Sequence, residues 1–155
     1  MSFLISKNIT QKLFLSTLQL GHHNSIIFYK EGKTATSIVV QDKVSGLKDL
    51  YINSTEEVPT SYAAQYCFKL MGILGVLLHP QPSSALMICF GGVIAAGTTI
   101  QSPEVKYLEV VDIEESVVQA ARLLSRENNN LLINKKTKVI IEDGRKCMAL
   151  SKLHG

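Results

Sequence analysis

Three short stretches of this sequence combine residue types that suit a nucleoside. Phe90-Gly91-Gly92 ends an apolar run. Glycine lets a backbone pass close to a ligand, and a helix that follows offers unpaired N–H groups. Asp112, with Ile113 behind it, closes the next apolar run about 21 residues after Gly91, near the spacing at which an acid meets a ribose hydroxyl pair. Asp143-Gly144 stands at the tip of a third run, where a carboxylate can meet an adenine amino group. Each stretch also has a plain structural reading. Gly91-Gly92 and Asp143-Gly144 can be turns, and Asp112 or Glu114 can cap a helix that starts at residue 115. Three such features in order, each at a predicted strand end, point to an adenosine-containing ligand.

The elements that must carry these residues are legible from period and composition. ALMICFGG (85–92) is wholly apolar and ends in glycines, as a parallel strand buried on both faces does, and Cys89 within it reads as a small core residue. VIAAGTTI (93–100) suits a helix start. KYLEVVDI (106–113) is a second buried strand, and EESVVQAARLLSRENN (114–129) is an amphipathic helix with acids in its first turn. KVIIEDG (138–144) is a third strand. This strand-helix-strand-helix-strand order is half of a doubly wound sheet, in which ligands bind beyond the carboxyl ends of the strands. Upstream, SIIFYKEG, TATSIVVQ and LKDLYIN predict a small antiparallel sheet over residues 25–53. Thr60 or Ser61 caps a helix through YAAQYCFKLMGILGVLL, which ends near His79-Pro80. Residues 8–20 fit a short helix or a strand.

Composition narrows the function classes. The 155 residues are 46% hydrophobic and 19% charged, enough to bury a core in one globular chain. The net charge of +3 is spread without a basic run, which tells against nucleic acid as a partner. Leu70 to Pro80 is too short to span a bilayer, and no long apolar stretch precedes His22, so neither a membrane partner nor a signal peptide is expected. Cys67, Cys89 and Cys147 are odd in number and form no C-x-x-C, so a reducing cytoplasm is expected and no metal. His22-His23 has no further ligand at metal spacing.

The ordered series FYKEGKTATSIVV, LLHPQP, LMICFGGVIAAGTT, EVVDIEESVVQAAR and IIEDGR resembles the spermidine/spermine synthase family of polyamine aminopropyltransferases over residues 25–148. That resemblance implies an α/β fold: a partial Rossmann-like (methyltransferase-type) parallel sheet in residues 59–155, after a small antiparallel β region in residues 1–58. It implies decarboxylated S-adenosylmethionine or S-adenosylmethionine as ligand, no further cofactor, and a polyamine as the amine acceptor. By position, Asp112 matches the family's ribose acid, Asp143-Gly144 its adenine pair, and Gly91 the middle glycine of its G-x-G-x-G loop. Cys89 and Val93 stand at the first and third glycine positions, where a side chain crowds a ligand lying on the backbone.

The family's catalytic aspartate follows the next strand. The resemblance therefore implies a C-terminally truncated chain that is incomplete for catalysis alone, with no catalytic residue assigned. A non-catalytic nucleoside-binding or interaction module, and a methyltransferase-like protein using intact S-adenosylmethionine, remain as alternatives. In the family's 3-2-1 strand order LMICFG becomes a sheet edge without Lys, Pro or charge to protect it, so a homo-dimer is expected, and the family's habit of dimerising implies the same.

Overall fold

The computed structural model describes residues 12, 15–18 and 20–151. Most of the segment 8–20, whose conformation the sequence left open, lies outside the described residues. Within it Leu15 and Ser16 are helical, and Leu18 is buried against Ile38 and Val40.

The N-terminal region is an antiparallel sheet of four strands in sequential order: β1 (Asn24–Glu31), β2 (Thr36–Asp42), β3 (Lys48–Ile52) and β4 (Thr55–Val58). β2 sits inside the sheet and is apolar on both faces. Ile38 and Val40 face Leu18, whereas Val39 joins the main core, which explains the β-branched run SIVV. β4 was not predicted, because TEEV is polar and three of its four residues are exposed. A tight turn makes the strand: Asn53 and Ser54 both have positive φ (49° and 67°), the geometry that suits a two-residue hairpin loop.

Helix α1 (Tyr62–Leu78) starts at Ser61, whose side chain accepts from the Ala64 N–H, and stops at an extended His79 before Pro80. Then come β5 (Ser84–Ile88), a 3-10 turn (Phe90–Gly92), α2 (Val93–Thr99), β6 (Tyr107–Asp112), α3 (Glu115–Ala121), β7 (Thr137–Ile141) and α4 (Gly144–Ser151). The three strands are parallel in the order β5-β6-β7, with Met87 opposite Val110 and Val110 opposite Val139. The fold is thus α/β: a Rossmann-like partial parallel sheet preceded by an antiparallel one. A single hydrophobic cluster runs through both sheets, joining Val39, Leu50 and Val58 to Phe90, Ile94, Leu108, Val110 and Val117. No helix among the described residues is long and apolar enough to cross a membrane.

Three expectations are corrected. The helix expected over 114–129 ends at Ala121 and tightens into a 3-10 turn at Arg122–Leu124. The asparagine run stops it: the Asn128 side chain donates to Ala121 O at 2.8 Å, and Asn129 and Asn130 both adopt φ 54°. β5 is not buried on both faces. Ala85 and Met87 pack on the core, while Leu86 and Ile88 face outward and are exposed. The core helices cover one side of this sheet, and on the other α4 is the described helix that crosses, so close that a side chain on Gly144 would overlap Ile88. Cys89, expected in the core, is exposed.

The two sheets are strapped together by polar contacts around α3. Glu114, the N-cap of α3, is 4% exposed. Its Oε2 accepts from the Thr34 N–H (2.8 Å), the Thr34 hydroxyl (2.8 Å) and the Ala35 N–H (3.2 Å), and its Oε1 accepts from the Ser116 N–H (3.1 Å). Gly32 leaves room for this approach, since any Cβ there would overlap the carboxylate. The Ser37 and Ser116 hydroxyls bond at 2.7 Å beside it, Lys30 Nζ donates to Gln119 Oε1, and Lys48 Nζ donates to Leu123 O. Burial pushes the Glu114 carboxyl pKa up, but the N–H groups of Thr34 and Ser116 and the two hydroxyls outweigh it and bring it down to about 2.

This clasp predicts a pH dependence. The folded Glu114 pKa lies below the unfolded value, so its stabilisation is complete above about pH 5 and is lost as pH falls toward 2, with a total on the order of 3 kcal/mol. Urea unfolding of wild type and Glu114→Gln at pH 6 and pH 3 checks this. The variant is expected to be less stable at pH 6, with the gap roughly halved at pH 3. An equal gap at both pH values would contradict the clasp.

Candidate binding site at the strand ends

The carboxyl ends of β5, β6 and β7 converge on one cleft of about 280 Å3. Asp112, Ile113, Asp143 and Gly144 all line it, together with Cys89 and Arg145. Gly91 is not among its lining residues; it lies in the 3-10 turn Phe90–Gly92 that leads from β5 into α2. A Cβ on Gly91 would meet no described atom within 4 Å, so the packing of the described residues does not demand glycine there.

Asp112 is held from two sides. Its Oδ2 accepts from the Phe90 N–H at 2.6 Å and its Oδ1 from the Glu114 N–H at 2.7 Å. The cap of α3 is Glu114, so Asp112 braces the loops after β5 and β6 against each other. A carboxylate oxygen accepts more than one hydrogen bond, and both oxygens of this fixed carboxylate keep acceptor capacity.

Asp143 has a charged partner. Its oxygens accept from the Arg145 guanidinium, at 2.6 Å from Nη2, and Oδ1 also accepts from the Arg145 N–H at 2.9 Å in the first turn of α4. The guanidinium bonds, then the backbone bond, bring the Asp143 pKa down to about 2. Next to it Glu142 pairs with Lys146 at 2.6 Å, which holds its carboxyl below the usual range. The turn and the acid expected at 143–144 are thus one structure: the aspartate that lines the cleft also starts α4.

Sequence reasoning missed two features of this site. Arg145 was overlooked, although its place two residues after Asp143 at a helix start was a readable signal. Cys89 was read as core, yet it has φ 73° in the left-handed region and lines the cleft. Its N–H still reaches Val111 O at 2.9 Å, so the strand pairing forces the turn on a residue with a side chain. A larger hollow of about 470 Å3 lies between α3 and β7; Arg122 is the one charged residue among the described residues on its wall, and the wall holds no carboxylate to meet a ribose or an amine.

The strain at Cys89 generates a prediction. A left-handed non-glycine residue costs about 1–2 kcal/mol, and glycine gives back about 0.5–1 kcal/mol through its unfolded-state entropy. Cys89→Gly is therefore expected to stabilise the chain by about 0.5–1 kcal/mol. A loss of stability in thermal or urea unfolding would refute the strained turn.

No protein-family model matches the sequence, and no curated protein matches it. Solved structures do. A spermidine synthase from Thermotoga maritima superposes with a TM-score of 0.70 at 13% identity, covering 79% of this chain and 41% of that one. A spermidine synthase in complex with the transition-state analogue AdoDATO gives 0.69 at 14% identity, covering 79% and 42%. The chain thus spans about two fifths of the length of these enzymes, and over most of its own length it has a spermidine-synthase-like fold.

Proposed function

We propose that the strand-end cleft binds the adenosine part of decarboxylated S-adenosylmethionine or S-adenosylmethionine, in a spermidine-synthase-like aminopropyltransferase domain. The observation that carries this reading is the convergence of Asp112, Ile113, Asp143 and Gly144 on one cleft, on a fold shared with spermidine synthases. In it Asp112 accepts from the ribose hydroxyls and Asp143 from the adenine amino group, while Ile113 and Gly144 shape the floor. Gly91 and Gly92 let the backbone of the 3-10 turn approach the ligand from beside the cleft. Residues 59–155 supply the nucleoside site, and residues 1–58 brace it through Glu114. The three unpaired thiols suit a reducing cytoplasm.

Aminopropyl transfer needs an amine aimed in line at the methylene beside a sulfonium, and a carboxylate to take up the amine's charge. The acids near the cleft are committed elsewhere. Asp112 is bonded to two backbone N–H groups, Glu114 is buried in its clasp, Glu142 holds Lys146 and Asp143 holds Arg145. This supports binding without turnover by one chain. The Cys89 side chain at the cleft favours the second reading, a nucleoside-binding module of the same fold without catalysis.

Calorimetric titration of the chain with methylthioadenosine, S-adenosylmethionine and decarboxylated S-adenosylmethionine tests the site. Loss of a charge-assisted hydrogen-bond pair in Asp112→Asn is expected to weaken binding about 10- to 100-fold. Glu109→Gln, on the outward face of the sheet, is expected to bind as wild type does. Equal affinity in Asp112→Asn and wild type would sink the ribose assignment. Turnover of about 1 per second or faster with any polyamine would sink the non-catalytic part.

A further inference from the structure

Every residue on the wall of the 470 Å3 hollow between α3 and β7 falls between Val118 and Val139, so one continuous stretch of chain builds it. It shares no wall residue with the strand-end cleft. The hollow follows from the early end of α3. The apolar period predicts a helix through residue 129, and an amphipathic helix carried that far would lay its apolar side over β7. Instead α3 ends at Ala121 and tightens into the turn Arg122–Leu124. Asn129 and Asn130 then take the left-handed conformation, and a 3-10 turn at Leu131–Ile133 leads back into β7. The space between is left concave.

Its wall divides into an apolar part and a few hydrogen-bond donors. Val118, Leu132 and Val139 are partly buried at the margin of the main core, and Ile133 is 82% exposed. Asn128, 1% exposed, has both ends of its amide bonded: Nδ2 donates to Ala121 O at 2.8 Å and Oδ1 accepts from the Leu131 N–H at 3.3 Å. The other polar side chains are uncommitted. Ser125 and Asn130 are exposed, and neither side chain has a hydrogen-bond partner among the described residues. Arg122 is exposed and takes part in no ion pair among the described residues.

We propose that this hollow binds a small organic monocarboxylate with an apolar body, the ionised form of a short fatty acid. The apolar wall takes the hydrocarbon chain, the Arg122 guanidinium pairs with the carboxylate, and Ser125 and Asn130 supply further donors. Three features select this ligand. A wall with one cation and no carboxylate favours an anion and disfavours an amine. The planar guanidinium fork matches the two oxygens of a carboxylate, and its single charge balances a single negative charge. A hollow of about 470 Å3 lies within the range of about 300–1,000 Å3 of small-molecule sites, whose walls are mostly apolar with a few polar groups that orient the ligand. An inorganic anion has no apolar part with which to use that wall.

Calorimetric titration of the full chain at pH 7 with octanoate, 1-octanol and acetate tests this. Octanoate is expected to bind saturably with a Kd on the order of 0.1 mM, and 1-octanol and acetate at least about 10-fold more weakly, since each lacks one half of the recognition. Arg122→Gln, at an exposed position, is expected to weaken octanoate binding about 10-fold and to leave 1-octanol unaffected. Arg126→Gln, which removes the same charge from a neighbouring residue off the wall, is expected to bind octanoate as wild type does. Ser125→Trp places a large side chain in the hollow and is expected to abolish octanoate binding with the circular dichroism spectrum unchanged. Absence of saturable octanoate binding up to about 2 mM, twenty times the expected Kd, overturns the proposal. So does 1-octanol binding as tightly as octanoate, or an Arg122→Gln protein with the affinity of wild type.

Discussion

The carboxylate of Glu114 is buried without an ion pair among the described residues, and the arrangement of the rest follows from how that charge is satisfied. An isolated carboxylate in an apolar interior is far too costly to persist, so its oxygens must collect donors. They take backbone N–H groups from Thr34, Ala35 and Ser116 and the hydroxyl of Thr34. Those donors belong to the β1–β2 turn and to the first turn of α3, so satisfying the charge fixes the antiparallel sheet against the parallel one. Asp112, two residues earlier, reaches back to the Phe90 N–H and forward to the Glu114 N–H. One short stretch, 112–116, therefore sets the loop after β5, the end of β6, the start of α3 and the position of the N-terminal hairpin.

Carboxylates in this region are handled in two ways. Asp112 and Glu114 are stabilised by fixed dipoles, which neither titrate nor move away. Asp143 and Glu142 are stabilised by Arg145 and Lys146 on flexible, exposed side chains. Exposed pairs contribute little to stability, so a ligand that displaces Arg145 from Asp143 meets a small opposing term. The cleft thus combines a rigid wall at Asp112 with an adaptable one at Asp143. The strained turn at Cys89 lies between them, where strand pairing with Val111 holds a non-glycine residue in the left-handed region.

The two faces of the parallel sheet are covered unequally. Helices α1, α2 and α3 enclose one side, where Leu108 and Val110 are fully buried. On the other, Leu86 and Ile88 meet solvent except where α4 crosses. The outer stripe of α1, with Tyr62, Leu77 and Leu78, is exposed among the described residues.

Local pattern determined much of this protein. The β-branched run SIVV located β2, the pattern of Val117, Val118 and Ala121 located the start of α3, and three apolar runs located β5, β6 and β7 along the chain. These signals lie within a few residues of one another, where steric propensity and side-chain period act. The sequence also showed that Asp112 and Asp143 stand at strand ends, since parallel pairing puts those ends side by side. Tertiary structure alone decided the rest. Thr34 and Glu114 are 80 residues apart, and nothing in their spacing says that one will clasp the other. The outward face of β5 was hidden because Leu86 and Met87 are equally apolar, and only the helices on one side tell them apart. Cys89 looked like core for the same reason: a run of hydrophobic residues records how much surface asks to be buried, whereas which residues turn outward is settled by what packs against the strand.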